Sequence, residues 1–76
     1  MAWLATIVQD NEIIKFRVAE NRALALDAAG ELAQELSNKD PSWSPYMIDD
    51  VTNRLDDTCI TDYKNHTFQI LEASKD

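Results

Sequence analysis

The stretch AWLATIVQDNEIIKFRVA, residues 2–19, predicts a β-hairpin and sets the class of fold. Residues 2–9 are rich in apolar side chains, and the segment IKFRV, residues 14–18, alternates apolar with basic side chains. This period of two is typical of a half-buried strand. Asp10-Asn11 between the two runs provides favourable turn chemistry. We therefore expect two antiparallel strands joined by a tight turn.

The length of this turn decides which side chains of the hairpin face the core. A two-residue loop pairs Ile7 with Ile14 and leaves one continuous apolar face. That face consists of Trp3, Ala5, Ile7, Ile14, Phe16 and Val18. A three-residue loop would instead bury Leu4, Thr6 and Val8. In either register large apolar side chains of the first strand remain on the other face, where a partner or a second copy could cover them, although scattered exposed apolar residues are normal.

A helix is predicted after the hairpin. Asn21 is a favourable N-cap for a helix that runs to about Ser37. Its residues divide into an apolar stripe and an opposite polar side when they are plotted at about 100° per residue. The stripe is Ala25, Ala28, Ala29, Leu32 and Leu36, and the polar side is Asp27, Glu31, Gln34 and Glu35. The small alanines should let this helix lie close to the sheet.

The segment SPYMIDDVTNRLDD, residues 44–57, predicts a second, short helix. Ser44 is a favoured N-cap, and Pro45 suits the first helical position because its missing N–H has no intrahelical partner there. The apolar stripe consists of Met47, Ile48, Val51 and Leu55. We expect this helix to end at about Leu55.

The remaining chain predicts a second hairpin, from Thr58 to about Ala73. A two-residue turn within residues 64–66 keeps five side chains on one face. They are Cys59, Thr61, Tyr63, Phe68 and Ile70. The order is ββααββ, and local hairpins imply an antiparallel four-stranded sheet with two helices packed on one face. We therefore predict a single α+β domain over residues 1–76.

The charge of the chain is unevenly distributed. Fourteen acidic and seven basic residues give a net charge of −7, and all of that excess lies between Leu26 and Asp62. Such a chain should be repelled by nucleic acid and steered toward basic surfaces. The alternative is that the acidity only keeps a small protein soluble.

No motif in the chain predicts catalysis, a cofactor or a metal site. The aspartate-rich segment has no glycine for a calcium loop, and one His and one Cys cannot form a zinc site. Cys59 and His66 are several residue pairs apart in the predicted hairpin. Phosphate loops, nucleophile elbows and serine triads are missing from the sequence. We predict that the protein is not an enzyme.

The location expected from the sequence is the cytoplasm. A single cysteine cannot form an intramolecular disulfide, which favours a reducing compartment. The first residues lack a basic region, and Gln9 and Asp10 end a short apolar run, so neither a signal peptide nor a membrane span is predicted.

Four aspartates on the second helix form a predicted ladder of charge. Asp49 and Asp56 share one side of the helix and Asp50 and Asp57 another, each pair about 10.5 Å apart along the axis. This is too far to share a proton or a metal ion, but it suits Lys and Arg side chains that normally bind phosphates. The alternative is an ordinary solvated helix face.

Two aromatic residues flank this helix. Trp43 and Tyr46 could anchor an interface, although Trp43 could equally cover the edge of the core. The predicted partner-binding residues are Asp27, Glu31, Glu35, Trp43, Tyr46, Asp49, Asp50, Asp56 and Asp57.

The first half of the chain resembles small phage-encoded inhibitors of host enzymes. The resemblance lies in the strand WLATIV, the alternating strand IIKFRVAE and the helix ENRALALDAAGELAQEL. Anti-CRISPR proteins and inhibitors of host RNA polymerase include short acidic proteins built on a hairpin and a helix. The resemblance implies a stoichiometric inhibitor in the host bacterial cytosol that binds a protein with a basic, nucleic-acid-binding surface. It would act either by blocking that surface or as a DNA mimic. The alternative is an assembly module that homodimerises or docks in a larger complex through the apolar remainder of the first hairpin.

Overall fold

The computed structural model describes residues 2–44 and 46–73, which form four strands and two helices. The elements are β1 Ala2–Gln9, β2 Glu12–Ala19, α1 Arg22–Lys39, α2 Tyr46–Thr58, β3 Ile60–Tyr63 and β4 His66–Ala73. The strands form one antiparallel sheet in the order β2-β1-β4-β3. The predicted ββααββ order and the α+β fold are confirmed.

Both hairpins close with two-residue turns. Asp10 and Asn11 have φ of 54° and 66°, and Lys64 and Asn65 have φ of 48° and 66°. Two successive residues with positive φ are the backbone of a type I′ turn, whose twist matches that of the flanking strands. Asn and Asp adopt this conformation more readily than other side chains with a Cβ atom.

The first hairpin contains a β-bulge that the sequence pattern did not predict. Val8 lies opposite Ile13, as a two-residue turn requires, but Ile7 lies opposite Lys15. Ile14 is therefore an extra residue in β2 without a partner in β1. Because side chains alternate along a strand, one extra residue moves every later side chain to the other face.

The prediction that Ile14, Phe16 and Val18 face the core is therefore wrong, and Ile14 is 40% exposed. Phe16 is 62% exposed and Val18 is 61% exposed, whereas Lys15 and Arg17 lie on the helix side of the sheet. The alanine-rich stripe of α1 explains this arrangement, because it brings the helix close to the sheet and leaves little space for an aromatic ring. Long basic side chains can instead run along the sheet and place their charges at the edge of the helix.

The core lies between one face of the sheet and the two helices. From β1 and β4 it takes alternate side chains, and from each helix the predicted apolar stripe. The buried apolar residues are Ala5, Ile7, Ala25, Ala28, Ala29, Leu32, Ala33, Trp43, Met47, Val51, Leu55, Phe68 and Ile70. Trp3, Leu36 and Ile48 are half-buried against this cluster. The stripes predicted for both helices are confirmed, and so are the core positions predicted in β1 and β4.

The helix caps follow the sequence closely. The side-chain oxygen of Asn21 accepts a hydrogen bond of 2.9 Å from the backbone N–H of Leu24, which confirms the predicted N-cap of α1. This helix continues to Lys39, two residues beyond the predicted end. A basic residue in the last turn is favourable because the carbonyl end of a helix carries partial negative charge.

The second helix is described from Tyr46 and ends later than predicted. Ser44 Oγ accepts a hydrogen bond of 3.2 Å from the backbone N–H of Tyr46, while Pro45 lies outside the described residues. The helix continues three residues beyond the predicted end, to Thr58. Cys59 then reverses the backbone with a φ of 67° and leads directly into β3.

The register of the first hairpin can be tested by comparing two phenylalanines. Phe68 is fully buried, so Phe68→Ala should lower the free energy of unfolding by about 3–5 kcal/mol. Phe16→Ala should change it by no more than about 0.5 kcal/mol, because the ring makes little contact with the core. Urea unfolding in dilute solution measures both values. A loss of several kcal/mol at Phe16 that does not depend on protein concentration would contradict the bulged register.

Candidate functional site

Two carboxylates that were predicted to face a partner instead bind β2. Lys15 Nζ lies 3.0 Å from Glu35 Oε1, and Arg17 lies 3.0 Å from Glu35 Oε2 through Nη2. The other terminal nitrogen of Arg17 pairs with Glu31. Glu31 and Glu35 are thus ion-paired with β2 at the edge of α1, with side chains that remain 64% and 42% exposed, and their contact with a partner stays a prediction. The bulge is the reason, since it places the two basic residues of β2 on the helix side.

This cluster perturbs the titration of its central carboxyl group. The hydrogen bond from Lys15 lowers the pKa of Glu35 below its ordinary value of 4.5, and the positive charges of Lys15 and Arg17 act in the same direction. Partial desolvation opposes them; its effect is smaller than those of Lys15 and larger than those of Arg17. Glu35 therefore remains ionised at neutral pH and links α1 to β2.

Two aspartates of α2 are also engaged within the chain. Arg22, at the start of α1, donates a hydrogen bond of 2.8 Å to Asp56 Oδ1 and further bonds to the Asp56 carbonyl and, at 3.7 Å, to Cys59 Sγ. These contacts, the bond to Asp56 foremost, raise the pKa of Arg22. Within α2 the Nε of Arg54 lies 3.4 Å from Asp50 Oδ2. The predicted ladder of four aspartates is thus partly neutralised by basic residues of the same chain.

Three predicted carboxylates keep their charge toward solvent. Asp27 on α1 and Asp49 and Asp57 on α2 are exposed, and within residues 2–44 and 46–73 none of them forms an ion pair. The acidic surface that remains is smaller than the sequence predicted. We call Asp27, Asp49 and Asp57 the open carboxylates.

The two predicted aromatic anchors occupy different environments. Trp43 is 6% exposed and makes edge-to-face contacts with Tyr63, His66 and Phe68 at centroid distances of 5.2, 5.0 and 6.2 Å. It covers the edge of the core, which was one of the two alternatives for this residue. Tyr46 is 81% exposed at the start of α2 and is available to a partner.

The described residues offer little that resembles a catalytic or metal centre. No group of three His, Cys, Asp or Glu side chains among them is close enough to hold a metal ion. His66 donates a hydrogen bond of 2.8 Å from Nδ1 to the Lys64 carbonyl at the turn, and Cys59 is half-buried. In this part of the chain, neither helix has the length and apolar character needed to cross a membrane.

The side of the sheet away from the helices carries an extended apolar surface, which we call the open face. Its residues form three rows across the strands. These rows are Val18-Leu4-Leu71, then Phe16-Thr6-Gln69-Ile60, and then Ile13-Val8-Thr67-Asp62. No described segment covers them.

The composition of the open face differs from that of the rest of the surface. Charged residues make up 28% of the chain, yet of these eleven side chains only Asp62 is charged. Asp62 lies on the edge strand β3 and accepts a hydrogen bond of 2.7 Å from Thr67 Oγ1. Ile13 and Ile60 are 61% and 49% exposed, which is comparable with the exposure of Phe16 and Val18. The most exposed apolar side chains lie on the edge strands β2 and β3, and depletion of charge of this kind is typical of protein interfaces.

The sequence pattern found only part of this surface. Leu4 and Val8 were expected outside the core under a two-residue turn, and a covering partner was one of the alternatives. Phe16 and Val18 were assigned to the core, because nothing in the local pattern reveals the extra residue in β2. The exposed apolar surface is consequently larger than the sequence predicted.

In comparisons with protein-family models, curated proteins and solved structures, nothing matches this chain. The resemblance of the first half to phage-encoded inhibitors therefore stays a prediction. The open face and the open carboxylates are the two surfaces that could contact a partner.

The cluster around Glu35 should make stability depend on pH in the acidic range. A carboxyl group with a lowered pKa in the folded state stabilises the protein above its ordinary pKa of 4.5, and this contribution is lost as the pH falls through the folded-state value. Glu35→Gln should therefore lower the melting temperature at neutral pH, and the difference from the wild type should disappear in strong acid.

The matched control for this experiment is Asp27→Asn on the same helix, which removes a carboxylate without an observed ion pair. Thermal unfolding monitored by circular dichroism from neutral pH to pH about 2 covers the window in which carboxyl groups titrate. Equal melting temperatures for the wild type and Glu35→Gln at neutral pH would show that the cluster does not stabilise the fold.

Proposed function

We propose that this chain is a small protein-binding module that acts through the open face of its sheet and has no catalytic role. Its partner presents a flat, apolar and uncharged protein surface. The observation that carries the proposal is a sheet face with three rows of side chains and a single charged residue, opposite the face that packs on the helices.

The size of the open face supports this proposal. Three strands of eight residues and one of four, at about 3.3 Å per residue and about 4.8 Å between strands, give a projected area of about 440 Å². The largest apolar patch of a typical monomer is about 300–600 Å² and is often functional. The projected area of the open face lies near the middle of that range.

The packing of the chain also supports the proposal. The core uses one side of β1 and β4 and both helices, and the bulge at Ile14 adds Phe16 and Val18 to the opposite side. Removing such apolar area from water is worth about 25 cal/mol per Å², so a partner that fits this face gains a substantial driving force.

Site-specific photo-crosslinking tests this function. A benzophenone amino acid replaces Phe16 in one variant and Tyr46 in a matched control, since both side chains are aromatic and exposed. We expect a discrete cross-linked product after irradiation of cells that produce the Phe16 variant, and no such product from the control. If neither position yields a discrete product, the open face is not a binding surface.

We propose a second candidate function, an anti-CRISPR-like inhibitor that binds a basic, nucleic-acid-binding surface on a host protein. The open carboxylates and Tyr46 support it, because they are exposed on the helix layer where the net charge of the chain is concentrated. In this function the module would take the place of phosphates on its target. The ion pairs of Glu31, Glu35, Asp50 and Asp56 reduce the charge available for that purpose, which is why we rank this candidate second.

A competition assay tests the second candidate with two defined targets. Retention of labelled DNA by a guide-loaded CRISPR effector complex and by bacterial RNA polymerase is measured with increasing amounts of the protein. We expect one of the two targets to release its labelled DNA when the protein reaches about the same concentration as the target. This inhibition should be weaker at higher salt, because screening shortens the range of charge interactions. Joint replacement of Asp27, Asp49 and Asp57 by Asn should abolish the effect, while Glu12→Gln serves as the control. Unchanged DNA retention by both targets would contradict this function.

A further inference from the structure

We infer that the occupant of the open face is a second copy of this chain, packed sheet against sheet about a two-fold axis. The inference rests on the proposed function, because it names the partner of the same surface. Three properties of the open face lead to it: its size, the position of its one charge, and the location of the remaining charges behind the sheet.

The size of the face favours a partner of equal dimensions. Specific interfaces bury about 600–1,000 Å² of accessible surface on each partner. Accessible area exceeds projected area on a corrugated surface, so the open face, at about 440 Å² in projection, reaches this range only when nearly all of it is covered. A bound peptide strand covers too little of it. A second copy has a face of the same length and width, and in a two-fold arrangement each open face can cover the whole of the other.

The chemistry of the three rows is compatible with contact between identical surfaces. Antiparallel sheets that pack face to face lie about 10 Å apart at about −30°, with their side chains interdigitating. The rows that contain Val18 and Phe16 provide apolar and uncharged polar side chains for such a layer. Asp62 lies at the end of the third row on an edge strand, where the rim of an interface remains in contact with water. No carboxylate has to be buried without a partner.

The net charge of −7 does not prevent this association. The acidic residues between Leu26 and Asp62 are mainly on α1 and α2, which lie on the other side of the sheet. With sheets about 10 Å apart and helices a further 10 Å or so outside each sheet, the two helix layers are about 30 Å apart. At physiological ionic strength the screening length is about 8 Å, so repulsion between these layers is small. For the same reason a basic partner gains little at the open face.

The resulting dimer has four layers, with helices outside and two sheets inside. The open carboxylates and Tyr46 stay exposed on both outer surfaces of this dimer. Tyr46 is therefore a suitable control for variants of the open face, since it is exposed and aromatic but lies outside the proposed interface.

Light scattering and sedimentation equilibrium of the full chain test the inference. We expect a mass of twice 8.6 kDa at micromolar concentration, with little change when salt is raised. Phe16→Glu and Ile13→Glu place a charge among the apolar side chains of β2 in two different rows, and each should raise the dissociation constant at least about 10-fold because an unpaired carboxylate would be covered by the second copy. Tyr46→Glu should leave the mass unchanged. Far-UV circular dichroism verifies that each variant is folded.

Several outcomes would overturn a second copy as the partner. A wild-type mass of 8.6 kDa up to millimolar concentration would do so, as would a dimer that both open-face variants leave intact or that Tyr46→Glu disrupts. The photo-crosslinking experiment separates this inference from the proposed function. A Phe16 product with the mass of two chains supports both, a discrete product of another mass retains the function but excludes the second copy, and the lack of any discrete product overturns both.

Discussion

The extra residue at Ile14 is the constraint on which the rest of the structure depends. Without it, Phe16 and Val18 would lie under α1, and Lys15 and Arg17 would extend into solvent on the other side of the sheet. With it, the two basic side chains meet Glu31 and Glu35 across the edge of the helix. One inserted residue thus decides both the ion pairs that join α1 to β2 and the apolar character of the opposite face. The effect is large because side chains in a strand alternate with a period of two.

The same constraint separates charge from apolar surface. The helices carry most of the carboxylates on one side of the sheet, and the open face on the other side carries only Asp62. Each side therefore suits a different kind of contact, either an electrostatic one on the helix layer or a close-packed one on the sheet. These contacts do not exclude each other, since a partner on one side leaves the other side accessible.

Net charge was a poor guide to the surface that a partner would meet. The sequence places all of the excess charge between Leu26 and Asp62, but the structure pairs several of these acids with bases from elsewhere in the chain. Arg22 reaches Asp56 across 34 positions, and Lys15 reaches Glu35 across 20. Pairs of this kind are weak when they are exposed, yet they occupy the carboxylates. Only contacts between distant segments show which carboxylates remain available.

The sequence by itself determined the element order, the two-residue turns, the caps of both helices and the stripes that face the core. These features depend on local physical chemistry, since turn residues, capping side chains and helical periodicity act within a few positions of the chain. Only the tertiary structure decided the face of β2, the burial of Trp43 and the fate of Glu31 and Glu35. The alternating pattern of β2 fits a strand with either face toward the core, and the choice between the two faces depends on the space beneath α1. That space is set by the alanines of α1. Their packing against the sheet cannot be recognised from the sequence pattern of β2.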